Sequence, residues 1–323
     1  MKQILVIRYG AFGDIMQSMA AFRTIRAHHA ADEIVALTTP RFVELLGSSL
    51  YFDEVLVDNR PKIWQALAWL RLVRRLRARR FDRVYDLQRN QRTRILYEVL
   101  GRGRSLDWSG VIAGCSHPVH DDPDDRRHVR DKLAEQLRVA GIQEMLDPDI
   151  SWLGGKVDRF RLPPAYGLVV PGGALHRPEK RASAACYVGV AQFLLRRGIA
   201  PVLLGTASER EQIDAIRRGC PGAIDLSGQT SFGDIADLAR DAVAAVGNDT
   251  GLMHLAALAG CPSLVLFSQA SDPARVAPRG RLVRVLAVPN LSDLAAEPVI
   301  AAASGILEQD RREPPSAMVA ASA

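Results

Sequence analysis

The sequence has 323 residues, of which 48% are hydrophobic and 24% charged, as in ordinary globular proteins, and this length suggests two domains of roughly 150 residues each. Its net charge of +6 favours anionic partners, but no basic stretch is interleaved with stacking aromatic residues, so nucleic acid is the least favoured of them. No run approaches the roughly 18 apolar residues of a membrane span, and Arg8 interrupts the first apolar run too early for a signal peptide.

The first half of the chain alternates apolar runs rich in Val, Ile and Leu with longer segments of helical spacing. The predicted strands cover residues 4–7, 34–37, 54–57 and 83–88. The predicted helices cover residues 14–28, 40–47, 63–80 and 91–100. A βαβ rhythm of this kind predicts a parallel sheet with helices on both faces.

The rhythm weakens between residues 101 and 165, where we expect a loop over 116–128, a helix over 130–142 and a linker from 147 to 167. A second series then begins. Its predicted strands cover residues 167–170, 200–205, the segment "AIDLSG", 242–247, 263–268 and 282–286. Its predicted helices cover residues 184–197, 207–218, 232–239, 250–259 and 292–308.

The two series together predict the α/β class, with two doubly wound, Rossmann-like domains over residues 1–155 and 165–308 and a flexible tail over 309–323. Sheets of this kind bind ligands at the carboxyl ends of their strands, where the crossover connections part. Two such domains facing a common cleft are expected to hold two substrates, one on each domain.

The segment "VGNDTGLMHLAALAG" (246–260) leads from a strand end through a polar turn into a helix. The first N–H groups of a helix lack intrahelical partners, so the amides of Thr250, Gly251 and Leu252 are candidates to hold a diphosphate. In the alternative interpretation, Asp249 or Thr250 is only a helix cap. His254 lies inside this helix, and we expect it to be packed and not to act as a ligand.

The segment "RYGAFGD" lies between the first strand and the first helix and is not a dinucleotide fingerprint, because Gly10 and Gly13 leave only a GxxG pattern. The two glycines allow a tight loop and close approach of a ligand. Asp14 follows them, and it is either a cap of the next helix or a general base that faces the other domain.

Two further segments are candidate parts of a donor site. The loop "PGGALHRPEKR" is strongly basic, with His176, Arg177, Lys180 and Arg181 placed after a strand where a phosphate would lie, although mobile basic loops are often just solvated. Glu209 follows the strand end in "LLGTASERE", where it would accept hydrogen bonds from ribose hydroxyls or serve as a first-turn helix acid.

The helix predicted over 63–80 carries apolar residues that share one face approximately, together with many arginines around the rest. The apolar positions are Ile63, Leu67, Leu70, Val73 and Leu76. The helix is interpreted either as packed on the core with a solvated basic face, or as a basic surface bearing tryptophan that rests on anionic lipid headgroups.

Several common chemistries have no motif in this sequence. There is no Walker A, HExxH or GxSxG motif and no His/Cys spacing that suits zinc, so we expect neither a metal nor a cofactor. The four cysteines are far apart with no CxxC pair, which favours reduced thiols and a cytoplasmic location.

These motifs resemble glycosyltransferase family 9, the ADP-heptose:lipopolysaccharide heptosyltransferases and their relatives. The resemblance is strongest in "ILVIRYGAFGDIMQSMAAFRTIR" and "VGNDTGLMHLAALAG", is weaker in "VYDLQRNQRTRILYEVLG", "EKR", "LLGTASERE" and "LFSQASDPARVAPRG", and runs through most of residues 1–310. It implies a GT-B fold, with the acceptor on the N-terminal half and the nucleotide sugar on the C-terminal half, and metal-independent transfer with inversion.

Carried onto this sequence, the resemblance implies that Asp14 is the base and that Lys180 neutralises the phosphates of the donor. Glu209 would hold the ribose and Asp249 the sugar hydroxyls, while the amides of residues 250–252 would hold the diphosphate. The implied donor is a nucleoside-diphosphate heptose, ADP-heptose by default, and the implied acceptor is lipopolysaccharide or another cell-surface glycan at the inner face of the cytoplasmic membrane.

The sequence departs from the family pattern at one position in the basic loop. Ala182-Ser183 follow the lysine and arginine, where family members commonly have Trp-Pro. Two other functions fit the same architecture. One is a nucleotide-sugar epimerase or hydrolase that consumes the donor alone, and the other is a non-catalytic nucleotide-sugar-binding protein.

Overall fold

The computed structural model describes residues 1–62, 64–101, 105–120, 122, 124–173 and 177–310. The first sheet has six parallel strands in the order β3-β2-β1-β4-β5-β6. Its strands are β1 (Gln3–Ile7), β2 (Glu33–Thr38), β3 (Glu54–Val57), β4 (Arg83–Asp86), β5 (Asp107–Gly110) and β6 (His117–Pro118). Its helices are α1 (Phe12–Gln17), α2 (Met19–His28), α3 (Val43–Gly47), α4 (Ala66–Arg77), α5 (Gln91–Leu100) and α6 (Val129–Val139).

The second sheet repeats this plan in the order β12-β11-β10-β7-β8-β9, again with parallel strands. Its strands are β7 (Tyr166–Val170), β8 (Ala200–Leu203), β9 (Ile224–Asp225), β10 (Ala244–Asn248), β11 (Ser263–Ser268) and β12 (Val283–Val288). Its helices are α7 (Ala184–Arg196), α8 (Arg210–Gly219), α9 (Phe232–Asp241), α10 (Gly251–Leu258), α11 (Pro273–Val276) and α12 (Ala296–Gln309).

The prediction of two doubly wound α/β sheets is confirmed. The central strands are apolar and buried on both faces, as every residue of β7 shows, because helices cover both sides of each sheet. In each sheet the winding reverses between two central strands, β1 and β4 in the first and β7 and β10 in the second. Ligand sites lie at the carboxyl ends of strands at such reversals.

Two short strands were not predicted: β5 lies in the segment where the rhythm weakens, and β6 lies within the loop expected over 116–128. β5 has the sequence "DWSG" and β6 is only "HP", so neither has the run of β-branched residues that marks a strand. The helix predicted over 14–28 is two helices that meet at Ser18. The Ser18 hydroxyl donates to the carbonyl of Asp14 at 2.8 Å, a local bond that interferes with regular helix geometry.

The prediction that one face of the helix over 63–80 packs on the core is wrong for Leu67 and Leu70, which are exposed. Steps of three residues fall back about 60° around a helix, so Leu67 and Leu76 lie on opposite sides. The buried stripe of α4 runs instead through Leu72 and Leu76. Ile63 lies outside the described residues.

The domain boundaries stay predictions, and residues 311–323 of the predicted tail lie outside the described part of the chain. Among the helices that the structure describes, none is both long enough and apolar enough to cross a bilayer.

Candidate functional site

A cavity of about 870 Å³ lies between the two sheets, at the carboxyl ends of their strands. Its walls come from α1 in the first half and from the starts of α9 and α10 in the second. Six residues predicted for the site line it, namely Gly13, Glu209, Asp249, Thr250, Gly251 and Leu252. The other four predicted site residues are Gly10, Asp14, Lys180 and His254. Each is either next to a lining residue in the sequence or in direct contact with one.

Asp14 occupies the third position of α1 and accepts a hydrogen bond from the backbone N–H of Ala11 at Oδ2, at 2.9 Å. Its Oδ1 is 3.5 Å from Nη2 of Arg8, and 41% of the side chain is exposed. One oxygen of the Asp14 carboxylate therefore caps α1, as the helix-cap interpretation expects. The other oxygen faces Arg8, and the partly exposed carboxylate is accessible to solvent, which is what a proton acceptor needs.

The two glycines before Asp14 allow close packing that a side chain would block. Gly10 has φ +105°, and a Cβ there would lie 2.5 Å from the ring of Phe42. A Cβ on Gly13 would lie 3.0 Å from the ring of His254 in the other half of the chain. Gly10 therefore lets the loop after β1 pack on Phe42, and Gly13 lets it pack against α10.

The start of α10 presents a polar N-terminus to the cleft. Thr250 occupies the cap position, yet its side chain forms no cap bond, and its Oγ1 is buried with no partner among the described residues. Thr250 and Asp249 are therefore not simple helix caps in this structure. The amides of Gly251 and Leu252 belong to the first turn, where a helix supplies no acceptor, so they can bind an anion.

Gly251 lies where the two halves of the chain approach most closely at the site. A Cβ there would be 2.6 Å from Cδ1 of Phe12 and 2.8 Å from the backbone nitrogen of Gly13. The backbone of α10 thus reaches the start of α1 without a side chain between them, so that a ligand on α10 lies near the Asp14 loop.

Lys180 and Asp249 form an ion pair beside the start of α10. The Lys180 Nζ is 3.3 Å from Oδ2 of Asp249 and also donates to the hydroxyl of Ser271. Both side chains are largely buried. The predicted phosphate ligand and the predicted sugar ligand are therefore adjacent, and the lysine supplies positive charge where the amides of α10 point.

Glu209 is buried and is fully held by its own loop. Its Oε2 accepts from the backbone N–H and the hydroxyl of Thr206, both at 2.8 Å, and its Oε1 accepts from the Ser208 hydroxyl at 2.6 Å. Burial raises the pKa of Glu209, but these bonds and Arg181 outweigh it, so the pKa is below its usual value. Glu209 is thus the acidic residue in the first turn of a short helix, as one interpretation expected. Ribose binding by this carboxylate stays a prediction.

His254 is buried between the two halves of the chain. Burial lowers its pKa to about 4, against the opposing effect of the Asp249 and Asp14 carboxylates, so the imidazole is neutral at pH 7. No group of three His, Cys, Asp or Glu side chains within the described residues is placed to hold a metal ion.

Asn248 is a site residue that the sequence interpretation missed. Its Nδ2 donates to the carbonyls of Pro171 and Gly172 at 2.8 and 2.9 Å, and its Oδ1 accepts from the Tyr187 hydroxyl at 2.8 Å. Its Oδ1 also accepts from the backbone N–H of Ala182 at 3.2 Å. The available signal in the sequence was an asparagine directly after an apolar run.

These bonds also explain how the basic loop packs without the Trp-Pro pair. Asn248 holds Ala182, while the Ser183 hydroxyl caps α7 by accepting from the N–H of Cys186 at 3.2 Å. The small residues thus end the loop and begin the next helix. His176 lies outside the described residues, so its predicted place in the loop is not described.

Phe12 and Phe232 are a second feature that the sequence interpretation missed. Each begins a helix, and their rings stack across the cleft with centroids 4.2 Å apart. The tetrapeptide "FGDI" occurs at both positions, over residues 12–15 and 232–235, and this duplication was a signal in the sequence. Both rings are part of the cavity lining.

The sequence is similar to a known protein family and to several of its members. A family model described as glycosyltransferase family 9 (heptosyltransferase) matches residues 69–297. Lipooligosaccharide heptosyltransferase 2 of Haemophilus influenzae is 33% identical over 104 residues, which cover 31% of this chain and 30% of that protein. The match therefore spans less than a third of that relative. Lipopolysaccharide heptosyltransferase 2 of Escherichia coli is 25% identical over 88% of this chain and 87% of its own length.

Solved structures show the same fold. A glycosyltransferase family 9 protein from Veillonella parvula has a TM-score of 0.81 at 20% identity, with 95% of this chain and 97% of that chain covered. The E. coli ADP-heptose lps heptosyltransferase II has a TM-score of 0.76 at 22% identity, with 97% and 100% covered. The predicted GT-B type of architecture is confirmed.

Proposed function

The chain belongs to glycosyltransferase family 9, and on that premise we propose that it transfers a heptose from ADP-heptose to a lipopolysaccharide-type glycan, with inversion at the anomeric carbon. The observation that carries the proposal is the shared cavity, in which the polar start of α10 faces the loop that bears Asp14. A donor and an acceptor bound on opposite walls would meet there.

The donor wall offers groups that suit a nucleoside diphosphate sugar. The amides of Gly251 and Leu252 and the Nζ of Lys180 would neutralise the diphosphate. Asp249 would accept from the sugar hydroxyls, and Glu209 would accept from the ribose. The names of the E. coli relatives, which specify heptose, ADP-heptose and lipopolysaccharide, support the choice of donor and acceptor.

In the proposed reaction, Asp14 takes the proton of the acceptor hydroxyl as that oxygen attacks the anomeric carbon. The bond from this carbon to the diphosphate breaks, and the leaving oxygen keeps the electron pair. Lys180 and the α10 amides stabilise the negative charge that develops there, which is the role that a metal ion fills in other enzymes. We therefore propose that transfer needs no metal.

Calorimetric titration with ADP, UDP, GDP and NAD, in the presence of EDTA, tests the donor assignment. We expect ADP to bind most tightly and ADP-heptose to bind at the same site. A preference for UDP or GDP would overturn ADP-heptose as the donor, and binding of NAD alone would overturn the diphosphate site.

A second assay separates transfer from the rival functions. The purified chain is incubated with ADP-heptose, with and without a lipopolysaccharide core acceptor, and ADP release is followed. We expect release to depend on the acceptor. Release or isomerisation of the donor without acceptor would indicate a hydrolase or epimerase, and donor binding without turnover would indicate a binding protein.

A further inference from the structure

Three large apolar side chains lie exposed close together around the start of α4. Trp64 is 76% exposed, Leu67 72% and Leu70 53%. We call these three residues the apolar tip. Leu67 and Leu70 are one helical turn apart, and Trp64 precedes Leu67 by the same spacing, so the three follow one side of the segment. Exposure of such residues together indicates an interaction site.

Positive charge continues directly from the apolar tip. Arg71 and Arg74 follow Leu67 at i+4 and i+7 and are exposed, so they extend the same helix face. Residues 59–81 contain eight lysines and arginines and no aspartate or glutamate. The Nζ of Lys62 lies 5.0 Å from the ring centre of Trp64. A surface with this composition complements a partner that is anionic and apolar at once.

The surface is firmly attached to the sheet. Arg92 donates two hydrogen bonds to the buried Asp58 carboxylate, at 2.6 and 2.5 Å, and its guanidinium lies 4.2 Å from the ring centre of Trp69. Leu72 and Leu76 are buried beneath the helix. These contacts anchor α4 to the fold, while the apolar tip on the same segment is exposed.

The position of the surface relates it to the cleft. Trp64 follows β3, whose carboxyl end lies on the side of the sheet where the site residues after β1 are found. A partner bound to the apolar tip would therefore approach the cleft from the acceptor domain.

We propose that the apolar tip and the arginines of α4 dock the protein on an anionic lipid bilayer. Trp64, Leu67 and Leu70 enter the headgroup region, where tryptophan is favoured, and Arg71 and Arg74 contact lipid phosphates. This inference rests on the proposed function, because an acceptor carried by a lipid would reach the cleft from the same surface.

Vesicle flotation of the full chain tests the proposal without donor or acceptor. Vesicles of phosphatidylcholine with phosphatidylglycerol are compared with phosphatidylcholine alone, at low and high salt. We expect binding to the anionic vesicles that weakens with salt, and the double variant Trp64→Ser/Leu67→Ser should bind at least about tenfold more weakly.

Leu50→Ser is the matched control, because Leu50 is also 76% exposed but lies before β3, outside the apolar tip and outside the arginine-rich segment. We expect it to bind as the wild type does. A second variant, Arg71→Gln/Arg74→Gln, should lose the preference for anionic vesicles. The proposal is overturned if the wild type ignores anionic vesicles, or if the Trp64→Ser/Leu67→Ser variant floats as the wild type does.

ADP binding, measured on the same samples, keeps the two proposals separate. A variant that loses vesicle binding and keeps ADP binding supports the docking surface. Failure of the wild type to bind ADP, with vesicle binding retained, would instead overturn the proposed function and leave the docking surface intact.

Discussion

The ring of Phe12 stacks on the ring of Phe232 with an interplanar angle of 15°, although the two residues lie in helices that cover different sheets. Each is the first residue of its helix, and each begins an "FGDI" tetrapeptide. The stack fixes the starts of α1 and α9 against each other. It thereby joins the half of the chain that carries Asp14 to the half that carries the proposed donor site.

Asp14→Asn is expected to separate catalysis from binding. The amide oxygen of asparagine can still accept from the N–H of Ala11, so α1 keeps its cap, but an amide cannot take a proton. We expect kcat to fall about 10²- to 10⁴-fold with donor affinity unchanged, measured by ADP release and by titration. Wild-type turnover in this variant would reduce Asp14 to a helix cap.

Asp234→Asn provides the contrasting control, because Asp234 holds the same position in the second tetrapeptide. Its carboxylate is buried and accepts from both terminal nitrogens of Arg159, at 2.8 and 2.7 Å. We expect this variant to lose about 1–3 kcal/mol in the free energy of unfolding, measured in urea, while the folded protein still turns over.

Lys180→Ala is expected to weaken donor binding, because it removes a cation beside the diphosphate amides. We expect the Kd for ADP to rise about 10- to 100-fold in calorimetric titration. Lys156→Ala, an exposed lysine on the linker, should leave the Kd unchanged. A wild-type Kd in Lys180→Ala would place the phosphates elsewhere.

Gly251→Ala is expected to force the two walls apart, since the new methyl group would meet Cδ1 of Phe12 at 2.6 Å. We expect the Kd for ADP-heptose to rise at least about tenfold, because α10 must shift relative to α1. Gly47→Ala is the control, since a Cβ there meets only Val55 at 3.9 Å. Equal affinity in the two variants would show that the close approach at Gly251 does not matter.

The buried His254 predicts how stability depends on pH. Its pKa of about 4 lies below the ordinary value of about 6.5 for the unfolded chain, so the unfolded state binds more protons between these values. Stability is therefore lost as pH falls from about 6.5 to 4, and this residue should account for about 2 kcal/mol between pH 7 and 5.

Urea unfolding of His254→Gln at pH 7 and pH 5 isolates that contribution. The variant should lose less stability than the wild type over this interval. A residual slope is expected, because burial also lowers the pKa of His29 and of His128, which the variant retains. Identical slopes in both proteins would contradict a neutral, buried His254.

The sequence predicts the sheets well because each depends on local patterns. The apolar runs of β1, β7 and β11 can each be recognised separately. The turn at the end of β10 can be recognised from a run of four small or polar residues, 248–251. The strands β5 and β6 escape prediction because they are short and polar. In the sheet, β5 pairs with β4 and β6 pairs with β5, which no local pattern in their own residues indicates.

Contacts between the two halves of the chain could not be predicted from the sequence. The stack of Phe12 on Phe232 and the approach of Gly13 to Gly251 depend on how two separate sheets dock, which no local pattern encodes. The exposed face of α4 shows a related limit. Spacing of three residues suggested one apolar face, but the rotation of the helix decides which leucines meet the core.

In the reaction that we propose, where Lys180 binds the diphosphate, its ion pair with Asp249 has a consequence for the order of events. An arriving diphosphate must take the lysine away from a carboxylate that already holds it, so affinity is lower than the lysine alone would provide. After the sugar has left, the same carboxylate competes for the lysine again. In the proposed reaction the pair would thus act as an internal counterion that hastens the departure of the nucleotide product.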